Sequence, residues 1–393
     1  MNRRSFLAVS AVSQTRVPGA NDRLRGAVIG SGGRGRFLVS QFKELGVEMA
    51  AVCDVYQPNL EAGVKAASPG AAGYRDYRNM LEDKSIDVVV VASPDHWHAR
   101  MVVDAVNAGK DVYVEKPLAH KIEEGFEIID AVRRTRRIVQ VGTQRRSSDF
   151  FIEAKSILDS GQLGPIHLVT SQWLNHQSSL VSRKLQGELD WKAWLGSAPE
   201  RELDATRFFN WYYFWDYSGG LLIGQAAHMI DAIQWMMKAQ APSAVTCAGG
   251  KVNLPGAEVP ETASVILEYA AENFIATFTL GYKAMQYHMY NDQVKQFHGA
   301  KARLDVGREW YRLYPQTLDR TMTVSRQQSK PGAFNLATIQ HIRNFMECVH
   351  SRNEPTAPVE AGQATNIALC MAMDSLRQGR RLRWNAVRRR VET

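Results

Sequence analysis

Six residues directly after the first apolar stretch constrain the fold more than any other feature of the sequence. Gly30 to Gly35 form a G-x-G-x-x-G pattern that follows the apolar run 24–29 and opens a stretch of helical periodicity. Asp54 ends the next apolar run, 19 residues after Gly35. In a strand–turn–helix unit, such glycines let backbone N–H groups approach a pyrophosphate, and the acidic residue binds the adenosine ribose. The spacing therefore predicts a dinucleotide-binding βαβ unit.

The predicted cofactor is NAD. A carboxylate at Asp54 would repel a 2′-phosphate, so NADP is the less favoured alternative, kept open by Arg34 beside the loop. A glycine-rich tight turn without a ligand is the other interpretation of the pattern. The predicted contacts in this unit are Gly30, Ser31, Gly32, Gly33, Arg34, Gly35 and Asp54.

Short valine-rich runs alternate with longer amphipathic stretches over the first third of the chain. This order is typical of βαβ units, whose crossovers place helices on both faces of a parallel sheet. We therefore expect a doubly wound Rossmann domain over residues 23–143. The predicted strands are 24–29, 47–53, 88–92, 112–114 and 138–141, and the predicted helices are 37–45, 99–108 and 122–132.

The rhythm changes after residue 143. Strand-like runs then alternate apolar with polar residues and lack crossover helices, which favours a mainly antiparallel sheet. Residues 144–393 are expected to form an α+β domain for substrate binding and oligomerisation, so the whole chain belongs to the α/β class. The predicted strands are 166–172, 245–249, 263–269, 274–280, 293–298 and 302–306, and the predicted helices are 151–158, 226–237, 337–351 and 361–376.

Composition excludes two classes of partner. The net charge of +8 comes from 48 basic and 40 acidic residues, and its arginine clusters are not interleaved with aromatics as in nucleic-acid-binding proteins. No apolar run approaches the roughly 18 residues needed to span a bilayer. The four cysteines include no C-x-x-C pair and are expected to be reduced, buried thiols.

The N-terminus carries a short targeting pattern. Residues 2–7 have the twin-arginine form of an export signal, but the apolar stretch that follows breaks at Gln14 and Arg16. We interpret residues 1–22 as a vestigial signal and expect a cytoplasmic protein. A periplasmic location through a functional signal is the alternative.

Several segments together resemble the glucose-fructose oxidoreductase, inositol dehydrogenase and MocA family of oxidoreductases. The resemblance runs from about residue 24 to residue 384. It rests on the glycine loop, on S-P-D-H-W-H-A at 93–99 and on E-K-P at 115–117. Segments 191–196 and 215–220 and the pair His228 and Asp231 also look like family segments. The family implies an NAD-dependent enzyme of two domains that forms a homodimer or tetramer.

Lys116 is the first predicted catalytic residue. Ligands bind at the carboxyl ends of parallel strands, so Lys116, just after the strand 112–114, should face the nicotinamide. A partly dry cleft would lower its pKa and suit it to polarise a carbonyl or help remove a hydroxyl proton. A surface charge in a turn is the alternative. The resemblance implies four further cofactor contacts, namely Ser93, Asp95, His98 and Glu115.

His228 is the second predicted catalytic residue. The family places a histidine here as proton acceptor from the substrate hydroxyl, commonly with an aspartate four residues earlier, where this chain has Gly224. Without that anion we expect the pKa of His228 to lie near roughly 6.5. Asp231, on the same helix face, is expected to contact substrate. A core histidine with a satisfied hydrogen bond is the alternative.

Aromatic residues predict the substrate class. Related chains often carry an arginine where this one has Tyr212, and its loss, with Trp211 and Tyr213 beside it, points to a neutral sugar stacked on rings. A metal held by Asp95, His96, His98 and His120 is the rejected alternative, because no ligand pair of suitable spacing supports it.

Three functions remain open on the sequence alone. The favoured one is hydride transfer between NAD and a secondary alcohol of a neutral sugar or glycoside. The second is an NAD-dependent glycosidase that uses transient oxidation followed by elimination. The third is a non-catalytic NAD-binding protein, which the residue Gly224 motivates.

Overall fold

A computed structural model describes residues 23–392, so the predicted export signal lies outside the described residues. The first sheet has six parallel strands in the order β3-β2-β1-β4-β5-β6. Its elements are β1 (Arg25–Ile29), α1 (Gly33–Glu44), β2 (Glu48–Cys53), α2 (Gln57–Ala66), β3 (Ala72–Tyr74), α3 (Tyr77–Leu81), β4 (Val88–Val91), α4 (Asp95–Asn107), β5 (Asp111–Val114), α5 (Ile122–Thr135) and β6 (Val139–Val141).

This strand order confirms the doubly wound Rossmann fold. The chain reverses its direction of progress across the sheet between β1 and β4, so the loops after these two strands separate and leave a crevice at the carboxyl edge. β4 is four valines buried on both faces, which is typical of the centre of a parallel sheet. The crevice is where the glycine loop and Ser93 lie.

The second sheet has ten strands in the order β14-β13-β12-β11-β7-β10-β9-β8-β15-β16. All its pairs are antiparallel except β7 with β10, which confirms the mainly antiparallel prediction. Its elements are α6 (Asp149–Asp159), β7 (Ile166–Leu174), α7 (Trp191–Leu195), α8 (Ala205–Phe209), α9 (Gly220–Met237), β8 (Ala244–Gly249), β9 (Thr262–Tyr269), β10 (Phe274–Gly281), β11 (Gln293–Gly299), β12 (Ala302–Val306), β13 (Trp310–Pro315), β14 (Arg326–Ser329), α10 (Ala333–Ser351), α11 (Val359–Gln378), β15 (Leu382–Asn385) and β16 (Arg390–Glu392).

One face of this sheet is covered by helices, and the other is open. Side chains of α6, α9 and α11 pack with the sheet in one apolar core. Helix α9 begins at Gly220, six residues before the predicted start, because it is buried on nearly all sides and lacks the amphipathic pattern that marks a surface helix. The open face exposes Leu168, Ile266 and Ile275.

The C-terminal helices return to the first domain. On α10, Ile342 and Phe345 join the apolar core beneath the parallel sheet, where Phe345 meets the ring of Phe42 edge-on. The Gln140 amide of β6 donates to the main-chain carbonyl of His341 over 2.7 Å. The two domains are therefore held together at a buried interface. Within residues 23–392 we find no helix long and apolar enough to cross a membrane.

Candidate active site between the two domains

The glycine loop forms one wall of the cleft. It needs glycine at Gly30, whose φ is +87° and whose added Cβ would come within 2.8 Å of the Ala92 and Ser93 backbone. A Cβ at Gly35 would strike the carbonyl oxygen of Gly30, so the helix can pack this closely only without a side chain. Gly32 and Gly33 face open space. The N-terminus of α1 therefore presents bare backbone to a phosphate.

Asp54 braces this loop from the end of β2. Its carboxylate accepts hydrogen bonds from the backbone N–H of Ser31 at 2.8 Å and of Tyr56 at 2.9 Å. Burial raises the pKa of Asp54, and these two hydrogen bonds act in the opposite direction by stabilising the charged form. Asp54 thus holds the loop in shape while it lines the cleft.

A cavity of about 750 Å³ extends from the glycine loop past Asp54 and Ser93 into the second domain. Its lining includes the aromatic side chains of Trp97 on α4 and of Trp194 and Trp211 in the second domain. The volume lies within the range of roughly 300–1,000 Å³ that is usual for small-molecule and cofactor sites. Of the predicted pyrophosphate and ribose contacts, Gly30, Gly32, Gly33 and Asp54 line this cavity.

A segment of the second domain covers the adenosine end of the cavity. This covering segment consists of residues 186–190. Its Leu189 forms a β-bridge with Tyr56, and the N–H of Gln57 donates to the main-chain carbonyl of Glu188 over 2.9 Å. The Tyr56 hydroxyl also accepts a 3.0 Å hydrogen bond from the N–H of Gln186. This contact could not be predicted from the sequence, because the segment has neither helical nor strand periodicity.

The turn after β4 divides the predicted cofactor contacts. Ser93 lines the cavity. Asp95 and His98 lie behind it: the Asp95 carboxylate accepts a 2.6 Å hydrogen bond from Ser218 of the second domain. The His98 ring nitrogens lie 2.7 Å from the Pro117 carbonyl and 3.0 Å from the Ser93 carbonyl. These two side chains therefore stabilise the turn through hydrogen bonds, whereas the sequence predicts that they contact the cofactor directly.

The other histidine of this turn is also held by a contact with a main-chain carbonyl. His96 contacts the carbonyl of Trp194 at 3.2 Å, and burial lowers the pKa of His96 to about 3. Among residues 23–392, no three His, Cys, Asp or Glu side chains are grouped so that they could hold a metal ion.

Glu115 and Lys116 directly follow the end of β5. Glu115 forms an ion pair with Arg34 at 2.6 Å, which ties the end of β5 to the glycine loop. The Lys116 Nζ donates to the carbonyl of Gly224 on α9 over 3.2 Å. Burial lowers the pKa of Lys116, with Glu115 and Asp95 opposing that effect. Lys116 is therefore a partly buried amine at the carboxyl edge of the sheet.

His228 lies in the middle of α9, one helical turn after Gly224. Its ring is 6.2 Å from that of Trp173. Burial lowers the pKa of His228 well below 6.5, and the nearby positive charges of Lys116 and Arg145 act in the same direction. The expected pKa near 6.5 was therefore wrong, because burial and positive neighbours both disfavour the imidazolium.

Asp231 and two arginines lie behind His228. The Asp231 carboxylate is fully buried and accepts a 2.8 Å hydrogen bond from Arg146, so it is engaged in an ion pair, unlike the predicted substrate contact. Arg145 donates to the main-chain carbonyl of His228 over 2.8 Å. Sequence reasoning missed both arginines, because they follow β6 in a short polar 3-10 turn that resembles a surface loop.

The predicted aromatic residues form a 3-10 turn beside α9. Trp211 lines the cavity. The Tyr212 hydroxyl occupies the space that a Cβ at Gly224 would take. Tyr213 packs partly against the core of the second domain, and its carbonyl accepts a 3.0 Å hydrogen bond from the N–H of Glu258.

Two family models match the chain. The oxidoreductase family model with an NAD-binding Rossmann fold, GFO_IDH_MocA, matches residues 24–143, and the GFO/IDH/MocA C-terminal domain matches residues 151–305. Together they span more than two thirds of the 393 residues. The first domain is therefore an NAD-binding Rossmann domain.

Curated relatives align over part of their length. Inositol 2-dehydrogenase of Salmonella typhimurium is 34% identical over 131 residues, which are 33% of this chain and 39% of the relative. Alpha-N-acetylgalactosaminidase of Shewanella oneidensis is 39% identical over 123 residues, which are 29% of this chain and 27% of the relative. The chain thus matches less than half of each of these relatives.

Solved structures match nearly the whole chain. Levoglucosan dehydrogenase, in complex with NADH and levoglucosan, has a TM-score of 0.73 at 17% identity, with 92% of this chain and 99% of that chain covered. The WlbA dehydrogenase from Bordetella pertussis, in complex with NADH and UDP-GlcNAcA, has a TM-score of 0.70 at 19% identity, with the same 92% and 99% covered. At these identities the likeness establishes the fold.

Proposed function

The chain belongs to the Gfo/Idh/MocA family of oxidoreductases, and we propose that it is an NAD-dependent enzyme that oxidises a secondary alcohol of a neutral sugar or glycoside. The observation that carries the proposal is the meeting of Lys116 and α9 at the carboxyl edge of the Rossmann sheet. His228 lies on α9 one turn from that contact. Lys116 and His228, a potential acid–base pair, therefore lie at the edge of the sheet where ligands bind in such folds.

The two residues have complementary tasks in alcohol oxidation. Nicotinamide, when bound, supplies the hydride acceptor. The lowered pKa of His228 keeps its imidazole neutral, so it can accept the hydroxyl proton. Lys116 would direct its N–H groups at the substrate oxygen and stabilise the charge that develops there. The ring of Trp173, 6.2 Å from that of His228, would help to exclude water from the reacting atoms.

The loop geometry supports NAD over NADP as the cofactor. Asp54 lines the cavity at the ribose end, where its carboxylate would repel a 2′-phosphate. Arg34, the residue that kept NADP as an alternative, is bound to Glu115. It is therefore not free to neutralise a phosphate at the adenosine end.

A neutral polyol or sugar fits the character of the site. Trp211 lines the cavity, and Tyr212 reaches α9 beside it. Rings of this kind bind the C–H faces of sugars through apolar contact. The relatives named inositol 2-dehydrogenase and levoglucosan dehydrogenase, whose names refer to an uncharged polyol and sugar, are consistent with this substrate class.

A glycosidase that recycles its NAD is the second candidate. The observation that favours it is the 39% identity to alpha-N-acetylgalactosaminidase over the N-terminal region. The covering segment over the adenosine end also suits a cofactor that stays bound through many turnovers. In that reaction the same alcohol is oxidised transiently, so Lys116 and His228 keep their tasks.

One assay separates these functions. The purified protein is mixed with excess NAD and a panel of polyols, free sugars and aryl glycosides, and absorbance is followed at the NADH and aryl-alcohol wavelengths. NADH formed in proportion to substrate consumed supports the dehydrogenase. Aryl-alcohol release without net NADH supports the glycosidase. Neither signal with any substrate would refute both and leave a non-catalytic NAD-binding protein.

We also propose that copies of the chain associate through the open face of the second sheet. Leu168, Ile266 and Ile275 stand on adjacent strands of that face and are each 40–44% exposed. Contiguous exposed apolar side chains mark association surfaces. Sedimentation should find a dimer or tetramer, and Ile266→Lys should shift it toward monomer.

A further inference from the structure

A hydroxyl group fills the space that Gly224 leaves open on α9. A Cβ added to Gly224 would overlap the Oη and Cζ of Tyr212, and it would lie 2.8 Å from the Cε2 of the same ring. Side-chain carbons do not approach each other this closely, so any residue larger than glycine at position 224 would displace the tyrosine. Gly224 and Tyr212 are therefore a matched pair.

The same glycine is the anchor of Lys116. The Lys116 Nζ donates to the Gly224 carbonyl over 3.2 Å, while the Tyr212 hydroxyl lies against the Cα of that residue. His228 follows Gly224 by four residues on α9, a spacing that places two positions on the same helix face. Three proton-bearing side chains from separate parts of the chain thus converge on one helical turn.

The surroundings of Tyr212 keep its phenol protonated. Burial raises the pKa of Tyr212 well above its usual value, and the negative charge of Asp95 acts in the same direction. Within residues 23–392 the hydroxyl makes no hydrogen bond to a protein acceptor, and the Tyr212 side chain is partly exposed. Its O–H is therefore available as a donor to a ligand in the cleft.

We propose that Tyr212 is a third catalytic residue, whose phenol O–H donates a hydrogen bond to the substrate oxygen that Lys116 also polarises. The inference rests on the proposed function and deepens it. In the oxidation, the C–H bond of the alcohol breaks and its electron pair leaves as hydride to nicotinamide. The O–H proton passes to the His228 imidazole, and the electrons of that O–H bond form the C=O bond.

Two donors at the oxygen make physical sense in this step. The oxygen gains negative charge as its proton leaves, before the carbonyl is fully formed, and donors fixed in a dry site stabilise such charge strongly. Lys116 supplies one donor from the first domain, and Tyr212 supplies the other from the second. The site is therefore complete only when both domains meet around the substrate.

The test compares two tyrosine variants that lose the same atom. Tyr212→Phe keeps the ring and removes the hydroxyl. The matched control is Tyr269→Phe, because Tyr269 is buried in the second domain and stacks on Phe274 with ring centroids 4.5 Å apart, away from the cleft. Steady-state kinetics are measured with the substrate identified in the panel, and the Kd for NADH is measured by fluorescence.

Tyr212→Phe should lower kcat by about 100-fold, the usual effect of losing one oxyanion donor. The KM for the sugar should change less than about threefold and the Kd for NADH less than about twofold, because the stacking ring and the cofactor site are intact. A ring that only stacks would need no hydroxyl, so Tyr212→Phe would then match the parent. Tyr269→Phe should keep the parent kcat.

A second variant moves the hydroxyl without removing it. Gly224→Ala places a methyl group where the Tyr212 oxygen lies, so the phenol must shift, and kcat should again fall at least about 30-fold, a loss typical of a misplaced catalytic group. The double variant Tyr212→Phe/Gly224→Ala should lose no more activity than the more impaired of the two single variants, because both changes remove the same interaction. Thermal melting checks that each variant is folded.

The outcomes separate the two proposals. An active parent whose kcat is unchanged in Tyr212→Phe would overturn the role of Tyr212 and leave the proposed function standing. If NADH formation and aryl-alcohol release are both absent in the parent, the proposed function falls, and the role of Tyr212 falls with it. Additive losses in the double variant would also overturn the proposal, because they would mean that the two residues act separately.

Discussion

Lys116 donates a hydrogen bond from its Nζ to the main-chain carbonyl oxygen of Gly224 over 3.2 Å, across the boundary between the two domains. The position of this amine therefore depends on how α9 docks against the Rossmann sheet. A carbonyl acceptor adds no negative charge. Burial therefore lowers the pKa of Lys116, and the negative charges of Glu115 and Asp95 oppose this effect. The amine is held in place and remains able to exchange a proton.

Replacing this amine should abolish most of the turnover. Lys116→Ala is expected to lower kcat by at least about 100-fold, the low end for general acid–base groups, while NAD still binds. Lys65→Ala, an exposed lysine of α2, is the matched control. Steady-state rates and NADH fluorescence titrations check both variants. If kcat of the Lys116→Ala variant equalled that of the parent, Lys116 would have no catalytic role and would be only a charged residue in a turn.

The pH profile should report the neutral imidazole of His228. Its pKa is lowered by burial first and then by the positive charges of Lys116, Arg145, Arg34 and Arg308. The neutral base is therefore present at pH 7, and the acid limb of kcat/KM should lie below 6.5. The profile for NAD-dependent oxidation, measured from pH 5 to 9, checks this.

A variant assigns that limb. His228→Asn should lower kcat/KM by about 100-fold or more and remove the acid limb, because the amide cannot accept the proton. Arg145→Met removes one of the positive neighbours, so it should move the limb upward in pH. An acid limb that persists in His228→Asn would mean that another group takes the proton.

Asp54 should control both the glycine loop and the choice of cofactor. Asp54→Ala removes the acceptor of the Ser31 and Tyr56 N–H groups, so the affinity for NADH and NADPH should both fall. The ratio of kcat/KM with NADPH to that with NADH should rise, because the repulsion of a 2′-phosphate is lost. Kinetics with both cofactors check the ratio. An unchanged ratio would assign cofactor choice to another residue.

The placement of the proposed cofactor residues was predictable because it depends on features that are local in sequence. The glycine loop, Asp54 and Lys116 each follow directly from a strand end, so the strand pattern alone places them at one edge of the sheet. Asp95 and His98 share that location but face away from the cavity. A turn motif in the sequence predicts the path of the backbone, but it does not predict which side chains face the ligand.

The substrate half depends on contacts between distant segments. Gly224 looked like a lost catalytic group, but its meaning depends on Tyr212, twelve residues away, whose hydroxyl fills the vacated space. The pKa of His228 likewise depends on Arg145, which comes from a different segment of the chain. Side-chain packing determines both the role of Gly224 and the pKa of His228. A single sequence displays no periodic pattern that would predict either one.

The covering segment should slow cofactor release. Tyr56→Phe removes the hydroxyl that accepts the N–H of Gln186, and loss of one hydrogen bond of about 1 kcal/mol corresponds to a release rate about fivefold faster. NADH release is measured by stopped-flow fluorescence. Tyr314→Phe, on β13, is the control and should release NADH at the parent rate. Equal rates in Tyr56→Phe and the parent would contradict a covering role.

Stability should fall in mild acid because of a buried histidine that joins α10 to the Rossmann domain. The Nε2 of His341 lies 2.8 Å from the Val141 carbonyl, and its Nδ1 lies 2.7 Å from the Ser147 hydroxyl. A neutral ring satisfies both contacts, with one N–H donor and one acceptor. Burial lowers the pKa of His341 to about 4, below its ordinary value of 6.5.

Because this pKa is lower in the folded protein than in the unfolded chain, the stabilisation is complete above pH 6.5 and is lost as the pH falls toward 4. The parent should lose about 2 to 3 kcal/mol from this group between pH 6.5 and 4.5. His341→Gln, whose amide does not titrate, should show a shallower loss in urea unfolding across that range. His167→Gln, at an exposed site, should follow the parent. If His341→Gln also followed the parent, the proton that destabilises the fold would bind at another group.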